Sequence, residues 1–439
     1  MLFSSAGCPR VLVLGAYGLI GSAVVRRLVR DGCEVIGLGR DAQTARAVLP
    51  QIRWIIKDLE YLCDAQSWTS TIENIDYVVN CAGALQDSPG DDLDLVHTRM
   101  VEALVAACET ANASVIQISA VGAQAHASTA FLRTKAAGDA SVRSAKTRFW
   151  IYRPGLVIAP SAYGGTALLR MLAAVPYVQP LAHGHAVVQT VGSHDVAQAV
   201  SLAIQGRVPA RLECDLVEEQ THSLHDVVLA HRKWLGFSPP LQIVHVPDWV
   251  TAIISSGADF LGRLGWRSSL RSTATRVLTE GVTGDPTAWR EASGIMLRSL
   301  QDTLASMPAT VEHRQCSRMA LLAPLILSVL FAFWLASGVI GLLMMDAASQ
   351  VLRDAGWPHG LAVASVAFWS LLDIIIALAL AVRKYAPWSC WAMAAVSCIY
   401  LLSATLVVPS LWADPLGPLV KVLPGILLAL VARTILDSR

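Results

Sequence analysis

Charge is scarce in this chain. Asp, Glu, Lys and Arg supply 15% of its 439 residues and hydrophobic types 54%, whereas an average soluble domain is about 25% charged. Mean hydropathy is +0.50, which excludes a purely soluble protein of ordinary composition. The net charge is only +1 and no long basic tract occurs, so a protein that tracks a nucleic-acid backbone is excluded. Nine cysteines are present without a single CxxC pair, which argues for buried thiols in a reducing compartment and against a zinc or disulfide framework. A signal peptide is not expected, because the first apolar run carries glycines and gives way to Arg26, Arg27 and Arg30. The large N-terminal part should therefore remain on the cytoplasmic side.

Long apolar runs, by contrast, fill the last quarter. They cover about Met319–Met345, Leu361–Val382, Trp388–Val408 and Leu419–Leu436, each close to the ~20 residues that cross a bilayer. Arg314, Arg318, Arg383, Lys384, Arg433 and Arg439 would lie at one end of the spans, and Asp346, Arg353, Asp354 and Asp414 at the other. That bias predicts an inner (cytoplasmic) membrane protein with four spans and both termini cytoplasmic. Asp373 falls inside the second run, where a carboxyl needs a partner, a water-filled cavity or a neutral state, and Lys421 near the start of the fourth is expected to snorkel, with a carboxylate partner as the alternative.

The opposite end reads Val11-Leu12-Val13-Leu14-Gly15-Ala16-Tyr17-Gly18-Leu19-Ile20-Gly21. A short apolar strand, a glycine loop and a helix in that order cradle a pyrophosphate: Gly15 makes the turn, Gly18 admits close approach, and Gly21 lets helix and sheet pack. Tyr17, Leu19 and Ile20 belong to the same loop and helix start. The next strand, Glu34–Leu38, ends in Gly39-Arg40. Lacking the acidic residue that would hold a ribose diol, it favours NADP(H) through Arg40, with NAD(H) as the alternative. Further strands lead to Asp58-Leu59 at the adenine edge, Cys81-Ala82-Gly83 beside the nicotinamide half, and Ser119. Polar or small residues at successive strand ends are where a doubly wound sheet puts its ligand. The fold expected is α/β: a doubly wound, mostly parallel Rossmann sheet with a small substrate lobe, followed by a four-helix transmembrane domain. Residues 8–250, 251–318 and 319–437 would form the nucleotide domain, an amphiphilic helical connector and the membrane domain.

Gly15–Gly21, Asp58-Leu59, Asn80–Gly83, Ser119, Lys135 and Arg153-Pro154-Gly155 resemble the atypical and extended branches of the short-chain dehydrogenase/reductase superfamily, including homologues of a respiratory complex I accessory subunit. The stretches Phe333–Gly338 and Leu411–Lys421 resemble a DoxX-like membrane domain. The first resemblance implies a bound nicotinamide nucleotide, with Ser119 orienting a carbonyl and Lys135 holding the cofactor ribose. It also implies a catalytic tyrosine four residues before the lysine, and that position is Phe131. A phenyl ring has no exchangeable proton, so the expected chemistry is incomplete unless Tyr152, Tyr163, Tyr177 or water replaces it.

In the middle of the chain, Leu264–Arg271 is amphiphilic and could rest on anionic headgroups. His183 and His185 are not spaced as a metal site, and His194-Asp195 is read as a polar pair or a helix cap. Two functions are expected. One is a membrane-anchored NADP(H)-binding oxidoreductase acting on a quinone or lipid-derived carbonyl. The alternative is a catalytically reduced, cofactor-binding scaffold or assembly factor for a membrane protein complex. Membrane lipids are partners in both.

Overall fold

The computed structural model describes residues 8–87, 92–415 and 417–437; Leu416 of the DoxX-like stretch and Arg439 of the basic bias lie outside them. Seven parallel strands form the main sheet: β1 (Arg10–Leu14), β2 (Glu34–Gly39), β3 (Arg53–Ile56), β4 (Tyr77–Asn80), β5 (Ser114–Ile118), β6 (Phe149–Pro154) and β7 (Leu212–Leu216). Their spatial order is β7-β6-β5-β4-β1-β2-β3, so the connections reverse direction between β1 and β4, where a doubly wound sheet binds its ligand.

The sheet is covered on both faces, and the period of two along β1 decides which residue goes where. Val11 and Val13 join one core with Val24, Val25 and Leu28 of helix α1 (Leu19–Asp31). Leu12 and Leu14 join the other with Met100, Val101 and Leu104 of helix α2 (Met100–Ala111). All four β1 side chains are fully buried, each stabilising the fold by about 1.5–3 kcal/mol. Strand β6 runs on through Pro154, which pairs with Leu216 at the end of the ladder, a position that spares the missing proline N–H. Helix α3 spans Ala130–Arg143, which puts Lys135 in its second turn.

Short strand pairs lie beyond the main sheet, including Leu156–Ile158 with Thr190–Gly192 and Val178–Leu181 with Gln242–His245. Buried Glu218 ties the first of these pairs to segments further along the chain, accepting from Thr190 N (2.9 Å), Leu300 N (2.8 Å) and the His222 ring (3.0 Å). Helix α4 (Ser193–Ile204) follows. Asp195 does not cap it: the cap is Gly192, and Asp195 pairs with Arg298 at 2.8 Å. An acidic residue inside the first turn is well placed for that cation, whereas capping belongs to the residue before it. Helix α5 (Asp248–Arg263) follows Gln242–His245 in the chain.

The molecule divides into two bodies, one comprising residues up to Asp259 together with Ser268–Arg314, the other Phe260–Arg267 with Gln315 onward. In the second, helices α6 (Val311–Leu343), α7 (His359–Ala381) and α8 (Ala386–Val407) are long and apolar enough to cross a membrane. The fourth expected span is helical over α9 (Val422–Asp437), 16 residues, or about 24 Å at 1.5 Å per residue. Full-length crossing helices therefore number three among the described residues, with one shorter helix packed on α8. Arg383 Nη2 donates to Leu436 O (2.8 Å), so α9 ends level with the turn between α7 and α8. Asp373 is buried in this bundle, where Ser337 and Tyr400 each donate to one of its carboxyl oxygens (2.8 Å). The carboxyl thus finds its partners in two hydroxyls from neighbouring helices.

Candidate functional site

The glycine loop is shaped by what cannot be there. Gly15 has φ +64°, a left-handed conformation that side chains disfavour, and its N–H donates to Leu38 O (3.0 Å). A Cβ on Gly21 would stand 2.2 Å from Gly15 O, so only glycine lets α1 start this close to the loop. Gly18 occupies the N-cap of α1, and no side chain caps that end. An uncapped helix start behind a glycine turn presents backbone N–H groups and the positive end of the helix dipole to an anion. Leu19 and Ile20 are the first helical residues.

Tyr17 closes one side of the loop. Its ring lies over Gly39, where a Cβ would come within 2.3 Å of Tyr17 Cε1; its hydroxyl accepts from Arg40 N (3.2 Å), and it tilts against Trp54 at 5.8 Å. Arg40 is exposed at the end of β2. The carboxylate that follows, Asp41, accepts from Thr44 N and caps a helix. Asp58 likewise accepts from Glu60 N (3.3 Å), starting a single turn that brings Leu59 against the β1 core.

Across the switch point, Asn80 sets the other wall. Its amide bridges Gln117 (2.9 Å) and Ala82 N (3.1 Å), fixing the turn Cys81-Ala82-Gly83. Burial pushes the Cys81 thiol up to about 12, so it stays protonated and is no nucleophile. Lys135 is buried behind the turn, its ammonium donating to Ile118 O (3.1 Å) and Ala82 O (3.4 Å). Burial lowers it to about 8, with Asp139 one turn further along α3 opposing the fall.

His97 was not visible as a site residue in the sequence. It lies on a π turn, Leu95–Arg99, ahead of α2, and such turns favour functional positions. Nε2 accepts from Ala84 N (3.2 Å) and Nδ1 contacts Thr134 Oγ1 (2.9 Å). The proton therefore sits on Nδ1. Burial drives the ring down to about 2, so it is neutral. A Cβ on Gly83 would meet Lys135 Nζ at 3.1 Å and His97 Nε2 at 3.2 Å: the three converge on one wall. Phe131 stands edge-on to His97, centroids 5.8 Å apart, so the position of the expected phenol belongs to this wall and carries no proton.

Ser119 belongs to a neighbouring network. Its hydroxyl donates to Asp139 Oδ2 (2.8 Å), which also accepts from Arg153 Nε (3.1 Å). Arg153 continues to Glu213 (2.7 Å), which Arg143 holds through two bonds of 2.6 and 2.7 Å. Asp139 was also missed, although its spacing of four from Lys135 puts both on one helix face. None of the tyrosines considered as replacements joins the site. Tyr152 is fully buried with its hydroxyl on Ala199 O (3.3 Å), whereas Tyr163 and Tyr177 are exposed, outside these contacts. Among the described residues no His, Cys, Asp and Glu cluster could hold a metal.

Residues 11–211 match the NAD dependent epimerase/dehydratase family and residues 331–430 the DoxX-like family. The 40 kDa subunit of mitochondrial NADH-ubiquinone oxidoreductase from Neurospora crassa is 30% identical over 178 residues, which cover 39% of this chain and 46% of that protein. The chain thus spans about half the length of this relative. The Bordetella bronchiseptica enzyme WbmH in complex with NAD+ superposes with a TM-score of 0.53 at 15% identity, over 71% of this chain and 98% of its own. NADPH-dependent quinone oxidoreductase QOR2 from Escherichia coli, complexed with NADPH, does so with 0.51 at 15% identity, over 67% and 99%. At such identities the likeness is one of fold.

Proposed function

Since an N-terminal domain of the NAD dependent epimerase/dehydratase family is joined here to a C-terminal DoxX-like domain, we propose that this protein is a membrane-anchored NAD(P)H oxidoreductase that reduces a lipophilic quinone, with NADP(H) as its preferred nucleotide. The observation that carries the reading is Phe131 beside His97 and Lys135. Reducing a ketone leaves an alkoxide, which needs an acid at the moment of transfer. Reducing a quinone leaves a phenolate, a far weaker base that solvent can protonate afterwards. A wall without a phenol suits the second chemistry.

The residues divide the work. The backbone of Gly15–Gly21, with Leu19 and Ile20 at the helix start, would bind the pyrophosphate; Arg40 would pair with a 2′-phosphate, Tyr17 would back the ribose, and Asp58 and Leu59 would flank the adenine. Cys81, Ala82 and Gly83 would line the nicotinamide half, and Lys135 would hold its ribose hydroxyls. A bound nicotinamide supplies the hydride. Ser119, its proton committed to Asp139, is a positioning residue that ties the end of β5 to α3. The basic charges Arg383, Lys384 and Arg433 at one end of the helices support an inner-membrane location with cytoplasmic termini and a fourth pass through α9.

The test is oxidation of NADPH by full-length protein in nanodiscs containing a long-chain ubiquinone. Turnover that vanishes in Gly18→Val supports the reading. Phe131 also favours a second one, a nucleotide-binding scaffold for a membrane oxidoreductase complex, and binding of NADPH without oxidation by any quinone would select it.

A further inference from the structure

Helix α5 is built inside out. Its buried positions are the small residues Ser255, Ala258 and Gly262, whereas Trp249, Ile253 and Phe260 are 60–67% exposed. At 100° per residue, Trp249, Val250, Ile253, Ile254, Phe260 and Leu261 fall within an arc of about 140° that also contains Gly257 and no polar side chain. The charged residues Asp248, Asp259 and Arg263 lie outside that arc. A soluble surface rarely leaves so continuous an apolar stripe uncovered.

We propose that α5 lies in the membrane–water interface, with this stripe in lipid and its other side holding the loop that borders the nucleotide site. The end of the helix carries the argument for lipid as the occupant. Trp266, three residues past α5, donates its indole N–H to Ala381 O at the end of α7 (2.6 Å); Arg383 N donates to Leu264 O (3.0 Å), and the Arg383 guanidinium lies over the Trp266 ring. The last residues of α7, followed by Arg383 and Lys384, mark the edge of the hydrocarbon. The end of α5 is therefore fixed at that level. Exposed Arg263 and Arg267 stand beside Arg383 and Lys384 in the right place for anionic headgroups.

The inner side of α5 reaches the site through Asp259. Its Oδ1 accepts from Gln86 Nε2 (2.9 Å) and Arg271 Nε (3.2 Å), and Arg271 Nη2 donates to Asp87 O (3.1 Å). Gln86 and Asp87 lie three and four residues beyond Gly83, the far end of the turn Cys81-Ala82-Gly83. Asp259 thus ties the inner side of α5 to the loop beyond the turn Cys81-Ala82-Gly83. The lipid contact proposed for the stripe does not rest on the proposed function.

The test uses full-length protein in nanodiscs of phosphatidylcholine and phosphatidylglycerol, with acyl chains brominated near the headgroup or unlabelled. Subtracting Trp249→Phe emission from that of the unaltered chain isolates Trp249, and the exposed position makes this variant safe for folding. The expected result is a blue-shifted Trp249 signal that loses most of its intensity in brominated lipid, with or without nucleotide. A water-exposed spectrum indifferent to bromine would overturn the proposal. So would a blue-shifted signal that bromine leaves unquenched, which would assign the stripe to a second copy or a protein partner. Because no turnover is read, failure of the quinone reaction cannot be mistaken for failure of the lipid contact.

Discussion

Protonating His97 should cost the folded protein stability in a window set by its burial. The ring is driven to about 2 in the folded state from an ordinary 6.5, so the unfolded chain binds more protons at every pH between those values. Stability contributed by the neutral ring is complete above pH 6.5 and is lost as pH falls toward 2, at about 1.4 kcal/mol per unit. From pH 6.5 to 5 the loss is about 2 kcal/mol, a sizeable share of the 5–15 kcal/mol of a typical domain. His97→Gln removes the titration but also weakens the bonds to Ala84 N and Thr134, at roughly 1–3 kcal/mol. The variant should therefore be less stable at pH 7, and the gap should close by about 2 kcal/mol at pH 5. Urea titrations in mild detergent, followed through the fully buried Trp68 and Trp150 of this domain, would measure it. His231, also lowered by burial, to about 4, contributes to both proteins and cancels in the difference. Parallel loss of stability in the two proteins would refute the assignment of His97 as a buried neutral imidazole.

Nucleotide affinity should fall as pH rises through about 8, where Lys135 loses its proton; Asp139→Asn should move that midpoint lower, because Asp139 holds the lysine up, and calorimetry across a pH series would read the shift. Phe131→Tyr should raise kcat/KM for small ketones or aldehydes by up to ~100-fold through general acid catalysis while leaving quinone reduction near its original rate, a comparison made by steady-state assays. In the membrane domain, Tyr400→Phe and Ser337→Ala should each cost about 1–3 kcal/mol by stripping a partner from buried Asp373, and a double-mutant cycle on thermal unfolding should give a non-additive sum.

The parts of this account legible in the sequence were those with short-range signatures. The order strand, Gly15, Gly18, Gly21, helix fixes a backbone path within a dozen residues, and apolar runs near 20 residues announce α6, α7 and α8. The wall behind Gly83 was only half legible. Lys135 follows from its place in a motif, but His97 and Asp139 meet it through tertiary packing, and a π turn has no simple composition. Ser119 was identified by position; its partner Asp139, 20 residues away, changes what its proton does. The Trp and Arg residues of Leu264–Arg271 were legible as an amphiphilic stretch, whereas the apolar arc of α5 emerges only once the helix is bounded at Asp248–Arg263. The fourth span was overcounted in helix length because prolines and Gly417 delay its start to Val422.

The central claim is that the loop at Gly15–Gly21 binds a nicotinamide nucleotide with help from Arg40. Calorimetric titration of the full-length protein in detergent with NADPH, NADP+, NADH and NAD+, beside Gly18→Val and Arg40→Ala, tests it most directly. The account predicts saturable binding that is abolished in the first variant and loses its preference for the phosphorylated nucleotides in the second. Absence of binding by a folded protein, or binding that Gly18→Val leaves unchanged, would contradict it.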